Sequence, residues 1–234
     1  MKLRIVLVEP REAGNVGAAA RSMLNFGFDE MVIVGEHPQL LPVSSWWASG
    51  ADEVLEHARF VPTLADAIGD AHLTVATTSM RGRTSPVTYS ARTLAEKFAT
   101  LREDQTLALV FGREDSGLTR EELMLCQHTA AIPTNDRFPT MNLAQSICVF
   151  CYELTSIAPR SSSRDLPDAA TMERLHQRAR ELLLQIGFLH ESNPDRIYDD
   201  VRTMISRTDL DTREATIVLG MLRQLEWALS QTLR

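Results

Sequence analysis

The stretch Leu3–Phe28, LRIVLVEPREAGNVGAAARSMLNFGF, contains the pattern that sets the fold class. It begins with a continuous apolar run that predicts a buried strand over Leu3–Glu9. It ends with an alanine-rich run that predicts a helix over Val16–Phe26, and Gly14 and Gly17 bracket the turn between them. A strand, a turn and a helix in this order start a βαβ unit, so the stretch predicts an α/β protein.

The alternation of strand and helix continues through the first two thirds of the chain. The strands are continuous apolar runs, which is typical of a mostly parallel sheet covered by helices on both faces. Further strands are predicted over Met31–Gly35, Leu73–Thr78, Leu107–Gly112 and Thr129–Ile132, and further helices over Thr63–Ile68, Ala91–Thr100, Thr119–Cys126 and Asn142–Ser156.

The last third of the chain has helical spacing and no strand pattern. A segment rich in serine, proline and charge precedes it and is typical of a linker. Helices are predicted over Met172–Leu189, Asp195–Ser206 and Thr212–Leu233. The predicted organisation is therefore an α/β domain over residues 1–160, a linker over 161–170 and a small helical domain over 171–234.

The composition excludes some functions and leaves others open. No apolar run approaches the roughly 18 residues of a membrane span, and the N-terminus has no secretory pattern, which predicts a cytoplasmic protein without a membrane partner. The formal net charge of −7 argues against nucleic acid as a partner. However, the total charge does not exclude a local basic patch, and only Lys2 and Lys97 among the 24 basic residues are lysine.

The three cysteines indicate packing rather than chemistry. Cys148 and Cys151 have the CxxC spacing of zinc and redox sites, but they lie in an apolar, helical run without a second pair. Buried cysteine behaves as a small hydrophobic residue, so Cys126, Cys148 and Cys151 are predicted to pack in the core. No metal site is expected.

The first turn has two structural interpretations. A dinucleotide-binding turn needs GxGxxG after the first strand and an acidic residue after the second. Glu36 meets the second condition, but Ala20 stands where the third glycine belongs and the excursion Pro10–Ala13 makes the turn too long. A turn in which Gly14 and Gly17 serve only the backbone geometry is the alternative.

Asn15 and Arg21 argue for a function at this turn. We expect them on the same general side of the helix, between one and two turns apart. An arginine among alanines can bind a phosphate with its planar fork. The pair therefore marks a candidate binding site.

Two further stretches have features that are typical of ligand-binding sites, one a group of charged residues and the other a long loop. Leu109–Thr119 is a strand followed by Arg113, Glu114 and Asp115, at the carboxyl end where open α/β sheets bind ligands. Ala131–Ser146 is a strand end, a long loop with prolines and a helix start, and long loops of this kind are usually functional.

Together the three stretches resemble motifs 1, 2 and 3 of the SPOUT superfamily of methyltransferases. In detail they are similar to its tRNA ribose 2′-O-methyltransferases of the TrmJ type. The matching residues are Gly14–Arg21, then Leu109–Glu114 with Gly117-Leu118-Thr119, then Ile132-Pro133 with Asn142-Leu143-Ala144, and in the tail Asn193-Pro194 and Leu219–Gln224.

The resemblance implies a fold, a cofactor and a substrate. The fold would be a SPOUT-type trefoil-knotted α/β domain with a small C-terminal helical extension, in an obligate homodimer. The enzyme would use S-adenosylmethionine to methylate a ribose 2′-hydroxyl in tRNA, at the pyrimidine that starts the anticodon loop (position 32). A catalytically inactive homologue, or one that acts on rRNA or another tRNA site, is the alternative.

The resemblance also implies the site residues. Arg21 would hold a phosphate and stabilise the developing alkoxide, because a guanidinium resists deprotonation. Asn15, Glu114 and Asn142 would position Arg21 and the substrate sugar. The cofactor would lie against Thr78, Ser79, Met80, Gly112, Ile132, Pro139, Thr140 and Met141, with Gly112 required because a Cβ would crowd the cofactor. RNA contacts are expected at Arg81, Arg83, Arg113 and Arg137, for which a solvated surface arginine is the alternative.

One pair departs from the family pattern. Many relatives have a serine-leucine pair before the third-motif asparagine, where this chain has Thr140-Met141. Threonine keeps the hydroxyl but adds a methyl group, which leaves the nucleotide preference open.

Overall fold

The chain folds into two compact units, Met1–Ser163 and Arg164–Arg234. The computed structural model describes residues 1–35, 40–79, 87–160, 164–190 and 192–232. The predictions for Glu36, Met80, Arg81 and Arg83 lie outside these residues.

The first unit contains a seven-stranded parallel sheet, which confirms the predicted α/β class. Its strand order is β3-β2-β1-β6-β4-β7-β5, and the paired strands run parallel. All five predicted strands are present, and the short strands β3 and β5 were missed because neither has a long apolar run. The strands are β1 Lys2–Val8, β2 Glu30–Val34, β3 Arg59–Val61, β4 Leu73–Thr77, β5 Tyr89–Ser90, β6 Thr106–Phe111 and β7 His128–Ala131.

Helices cover both faces of this sheet. Successive side chains of a strand point to opposite faces, and every residue of β6 is buried, so both faces are covered there. Thr119 and Glu122 form a capping box at the start of α6. The helices are α1 Ala13–Asn25, α2 Leu40–Ala48, α3 Asp52–Glu56, α4 Leu64–Ile68, α5 Ala91–Phe98, α6 Arg120–Leu125 and α7 Leu143–Thr155.

The prediction that Gly14 and Gly17 shape a turn is wrong, because both lie inside α1. Gly17 is required by helix packing instead. A Cβ on Gly17 would lie 2.9 Å from Trp47 Cβ and closer still to the carbonyl oxygen of Ser44. The backbone of α2 therefore packs directly against α1 at this glycine, and the side chain of Ser44 is buried beneath it.

We expect Gly17→Ala to destabilise the protein and Gly14→Ala to leave its stability unchanged or slightly raised. The Ser44 carbonyl is backbone and cannot move aside, so overpacking at Gly17 should cost about 1–3 kcal/mol of unfolding free energy. At Gly14 the nearest atoms would be 3.4 Å away, an ordinary contact, while alanine is the better helix former. Chemical denaturation of both variants measures the difference, and equal stability would contradict the proposed packing.

The second unit contains the three predicted helices, α8 Ala169–Gln185, α9 Pro194–Ser206 and α10 Thr212–Thr232. Asp168 caps α8 by accepting a hydrogen bond from the Thr171 amide at 2.7 Å. Leu175 of α8 packs against Ala215 of α10 in the small core of this unit. No described helix is long and apolar enough to cross a membrane.

The cysteines pack in the core of the first unit. Cys126 and Cys151 are buried and Cys148 is partly buried. Burial raises the pKa of the Cys151 thiol to about 12, and the nearby Cys148 adds to this effect, so the Cys151 thiol stays protonated at neutral pH. Within the described ranges, no group of three or more histidine, cysteine, aspartate or glutamate residues could hold a metal ion.

Candidate active site

The three motif stretches meet at one edge of the sheet. Strands β1, β6, β4 and β7 are parallel neighbours, so their carboxyl ends share this edge. Glu9 follows β1, Gly112 follows β6, Thr78 follows β4 and Ile132 follows β7. Ligands bind outside the carboxyl ends of strands in open α/β sheets, which makes this edge the candidate active site.

Asn15, Glu114 and Asn142 form a continuous hydrogen-bonded network at this edge. Asn142 Nδ2 donates to Asn15 Oδ1 at 2.9 Å, and Asn15 Nδ2 donates to Glu114 Oε1 at 3.0 Å. These residues are more than 95 positions apart in two of the three pairs, and each comes from a different motif. The network therefore joins the three stretches through side chains alone.

The donor and the acceptor of each hydrogen bond in this network are fixed by the two ends of the network, which are Asn142 and Glu114. Asn142 is the N-cap of α7, and its Oδ1 accepts from the amides of Ala144 at 2.9 Å and Gln145 at 3.3 Å. The Asn142 amide nitrogen must therefore face Asn15. The Glu114 carboxylate can only accept, so Asn15 must turn its own amide nitrogen towards Glu114. Each amide nitrogen keeps a second hydrogen, and no described group accepts either one.

Glu114 is held as a carboxylate by three donors. Burial alone would raise its pKa, but hydrogen bonds from Asn15 and from the backbone amides of Arg11 and Glu12 outweigh burial and lower the pKa below its ordinary value. The Arg11 amide donates to Oε2 at 3.0 Å and the Glu12 amide donates to Oε1 at 3.2 Å. Glu114 is thus ionised at neutral pH and connects β6 to the start of α1.

We expect Glu114→Gln to destabilise the folded protein at neutral pH. Both carboxylate oxygens accept hydrogen bonds, so a glutamine must present its NH₂ group to one of the donors. The folded-state pKa of Glu114 is lowered, so its stabilisation is fully present above the ordinary glutamate pKa and is lost as the pH falls through the folded value. The difference in unfolding free energy between the wild type and Glu114→Gln should therefore shrink on acidification.

Denaturation of the two proteins at pH 7 and over the acidic range measures this effect. Asp104→Asn is the control, since that carboxylate binds only its own loop through Arg102. A difference between the wild type and Glu114→Gln that grows as the pH falls would contradict the assigned ionisation of Glu114.

Gly112 is required by the fold of its own loop. The amide of Gly117 donates to the Arg113 carbonyl at 2.8 Å and folds the loop back after β6. A Cβ on Gly112 would lie 2.5 Å from the Gly117 carbonyl oxygen, and closer still to Gly117 C and Leu118 N. The loop backbone fills the place of a side chain, which explains the glycine without a ligand.

Arg113 belongs to an internal ion-pair cluster, which corrects its prediction as an RNA contact. Its side chain is only 13% exposed, and its guanidinium binds Glu9 at 2.9 Å and Glu122 at 3.0 Å. Hydrogen bonds to these two carboxylates raise the pKa of Arg113. Four of its five N–H groups donate to Glu9, Glu122 and the Gly117 carbonyl, so this arginine joins the ends of β1 and β6 to α6.

Glu9 is a site residue that the sequence interpretation missed. It lies directly after β1 with a φ of 44°, in the left-handed region that residues other than glycine rarely adopt. Strained backbone of this kind clusters at functional sites. The sequence signal that could have identified Glu9 is an acidic residue at the end of a predicted strand, like the charged residues that follow the strand before Arg113.

Arg21 lies outside the network, contrary to the prediction that it shares a side of α1 with Asn15. Six residues at about 100° each turn the two side chains roughly 120° apart on a helix. The Arg21 side chain is exposed, and within the described part of the chain it makes no hydrogen bond or ion pair. Asn15, Glu114 and Asn142 thus do not position it within this chain.

The third-motif loop brings the remaining predicted residues to the same edge. Pro139 and Met141 are partly buried and Thr140 is exposed, directly before Asn142. Thr134 Oγ1 donates to the Pro139 carbonyl at 2.9 Å and holds the loop closed. Ile132 is partly buried at its start, and Thr78 and Ser79 follow the neighbouring strand β4. Arg137 is exposed on this loop.

The sheet, the network and the three motif stretches define the class of the protein. The model of the SpoU rRNA Methylase family matches residues 2–152, and the chain therefore belongs to this family. A second family model, the C-terminal domain of the tRNA methyltransferase TrmJ, matches residues 170–234. The resemblance to SPOUT methyltransferases of the TrmJ type is thereby confirmed.

Individual relatives agree with this assignment. The chain is 38% identical over 192 residues to the uncharacterized tRNA/rRNA methyltransferase LasT of Escherichia coli (strain K12), covering 80% of this chain and 83% of that protein. It is 33% identical over 237 residues to the tRNA (cytidine/uridine-2′-O-)-methyltransferase TrmJ of Yersinia pestis (strain Pestoides F), covering 96% and 91%. The crystal structure of TrmJ from Z. mobilis ZM4 superposes with a TM-score of 0.84 at 28% identity, covering 97% of this chain and 100% of that one.

Proposed function

We propose that this protein transfers a methyl group from S-adenosylmethionine to a ribose 2′-hydroxyl of tRNA. The observation that carries the proposal is the network of Asn15, Glu114 and Asn142. It offers two unused amide hydrogens and a carboxylate at the carboxyl ends of the strands. The family membership and the names of the relatives, which include tRNA 2′-O-methyltransferases, support the same chemistry.

The described residues fit S-adenosylmethionine as cofactor. Ile132, Pro139 and Met141 offer partly buried apolar surface for an adenine ring and a thioether chain. Backbone and hydroxyl groups of Thr78 and Thr140 lie at the same edge, where they can bind the polar ends. When bound, the cofactor supplies a methyl group on a sulfonium, which is already a reactive donor. We propose Thr78, Ser79, Gly112, Ile132, Pro139, Thr140 and Met141, with Met80, as its binding residues.

The chain's own residues would then orient the ribose. The second amide hydrogens of Asn15 and Asn142 can donate to sugar oxygens and hold the 2′-hydroxyl in place. Glu114 carries the negative charge that keeps the Asn15 amide in its donor orientation, and the cap of α7 fixes the amide of Asn142. Arg21 would bind the adjacent phosphate and stabilise the negative charge that develops on the attacking oxygen. Because Arg21 is exposed and has no partner among the described residues, a second copy or the RNA would have to meet it.

The finer parts of the proposal follow from the resemblance. They are a trefoil knot in the domain over 1–160, a linker over 161–170, a helical domain over 171–234, an obligate homodimer and a cytoplasmic location. We propose the pyrimidine at position 32 as the target and Arg137, with Arg81 and Arg83, as RNA contacts. Arg137 supports this role because its side chain is exposed and makes no ion pair with a described residue.

Methyl transfer to unmodified tRNA transcripts tests the function. Purified full-length protein with methyl-labelled S-adenosylmethionine should label tRNA, and nuclease mapping should recover a 2′-O-methylated nucleotide. A transcript with 2′-deoxyribose at position 32 should stay unlabelled if that nucleotide is the target. Tight binding of the cofactor without label in any tRNA would contradict the proposal.

Ribosomal RNA is the second candidate substrate. The matched family is described as rRNA methylases, and the relative LasT carries both RNA classes in its name. Adding rRNA to the same assay separates the two candidates, since label in rRNA alone would assign the enzyme to the ribosome.

A further inference from the structure

Two exposed aromatic rings have no role in the function proposed above. Trp47 packs beside Gly14, the residue before Asn15, and Phe138 lies four residues before Asn142 in the sequence. Phe138 is 80% exposed on the third-motif loop, and Trp47 is 59% exposed on α2. An aromatic ring left open to solvent beside a polar site offers a face on which a planar group can stack. The position of each ring indicates which partner.

The indole of Trp47 lies against the backbone of α1. The place that a Cβ on Gly14 would occupy is 3.4 Å from Trp47 Cε2 and Nε1, and Trp47 Cβ packs over Gly17. A Cβ on Gly17 would collide with Trp47 Cβ at 2.9 Å, so this glycine allows the tryptophan to lie here, while the contact at Gly14 is an ordinary one. The ring is therefore fixed one residue from Asn15 while more than half of its surface stays open.

Phe138 lies on a loop whose backbone is held by hydrogen bonds within the loop. Its amide donates to the Asn135 carbonyl at 2.9 Å, and the Arg137 amide donates to Asn135 Oδ1 at 2.9 Å. The bond from Thr134 to the Pro139 carbonyl closes the loop on the other side. Phe138 thus stands four residues before Asn142, next to an exposed arginine.

We propose that Trp47 and Phe138 stack on nucleobases of the RNA segment that carries the acceptor ribose. This inference rests on the proposed function. Unstacked bases of single-stranded RNA bind on the faces of phenylalanine and tryptophan, and every base has such a face. A base is joined directly to its sugar, so a ring near each sugar-binding asparagine is well placed to bind the base of that nucleotide or of its neighbour.

A second copy of this chain explains the two rings less well. Phe138 is surrounded in its loop by exposed Asn135, Asp136 and Arg137, whereas the centre of an interface between protein copies is depleted of charge. An aromatic ring beside an arginine suits a base beside its phosphate.

Binding of an unmodified tRNA transcript to the full-length protein tests the role of Phe138. Phe138→Ala removes one stacking contact, so its affinity for the tRNA transcript should fall about tenfold or more. The affinity of Phe138→Trp should stay within about twofold of the wild type, because tryptophan keeps an aromatic face. Val43→Ala is the matched control, because Val43 is also exposed and lies on α2 without an aromatic ring. The affinity for S-adenosylmethionine should be unchanged in all three variants.

The fluorescence of Trp47 tests its role without truncating it. The chain has three tryptophans, so Trp46→Phe with Trp227→Phe leaves Trp47 as the sole reporter. Stacking of a base should quench its emission when the tRNA transcript is added, and S-adenosylmethionine alone should not.

The outcomes separate this inference from the function on which it rests. Wild-type binding by Phe138→Ala, or unchanged Trp47 emission with bound tRNA, overturns the stacking even if methyl transfer is intact. A change in the monomer–dimer equilibrium of Phe138→Ala with unchanged tRNA affinity would assign the ring to contacts between copies and likewise overturn it. Quenching and weakened binding together with a wild-type protein that transfers no methyl group would support the stacking and contradict only the function.

Discussion

Arg21→Ala is expected to lower the rate of methyl transfer to tRNA about 10²- to 10³-fold, the effect of removing a charge-stabilising donor from an active site. Arg21 makes no hydrogen bond or ion pair within the described part of its own chain. Its removal therefore breaks no contact that the described fold depends on. The affinity for S-adenosylmethionine and the midpoint of thermal unfolding should both remain as in the wild type.

Single-turnover methyl transfer measures this change, with calorimetry for cofactor binding. Asn25→Ala is the matched control, since Asn25 is also exposed on α1 and lies one turn after Arg21. Arg21→Lys should recover only part of the rate, because an ammonium cannot bind a phosphate with a planar fork. Full activity of Arg21→Ala would remove this residue from the proposed mechanism.

Gly112→Ala is expected to abolish tight binding of S-adenosylmethionine and to cost about 3 kcal/mol of stability, the upper end of overpacking effects. The new Cβ would collide with backbone atoms of Gly117 and Leu118, which cannot rotate away as a side chain could. The loop after β6 must then move, and it carries Glu114 and its bonds to the start of α1.

Gly117→Ala separates collision from backbone strain. Gly117 has a φ of +70° but open space where a Cβ would lie, so alanine there should cost only about 1 kcal/mol. Chemical denaturation and cofactor titration of both variants provide the comparison. Equal losses in the two variants would show that the loop backbone does not fill the space beside Gly112.

The class of the fold could be predicted from the sequence because five of the strands, with four to seven residues each, are apolar enough to stand out between the helical patterns. The short strands β3 and β5 have three and two residues, too few for a periodic pattern, and they are defined by pairing with β2 and β7. Helix α2 was missed for a related reason, since LLPVSSWWA over Leu40–Ala48 has little helical periodicity. These elements depend on contacts that are distant in the sequence.

Local sequence patterns also identified the three residues of the network, but they did not predict the contacts of nearby residues such as Arg113 and Gly17. Asn15, Glu114 and Asn142 were predicted together, and the structure joins them. Arg113 was expected to face RNA, yet its partners Glu9 and Glu122 come from two other elements and cannot be paired with it by spacing. Gly17 was assigned to a turn, whereas the structure shows that the backbone of α2 requires a glycine there. The sequence did not reveal this contact because α2 itself was not predicted.

Asn142 has two duties at once, since it caps α7 and donates to Asn15. The first turn of α7 and the network at the sheet edge therefore form one cooperative unit, in which neither part can open while the other stays intact. Loosening of the helix start would release Asn15 and, through it, Glu114. Fraying of this turn would therefore also move Asn15 and Glu114. The stability of α7 thus helps to hold the side chains at the edge where we propose that RNA binds.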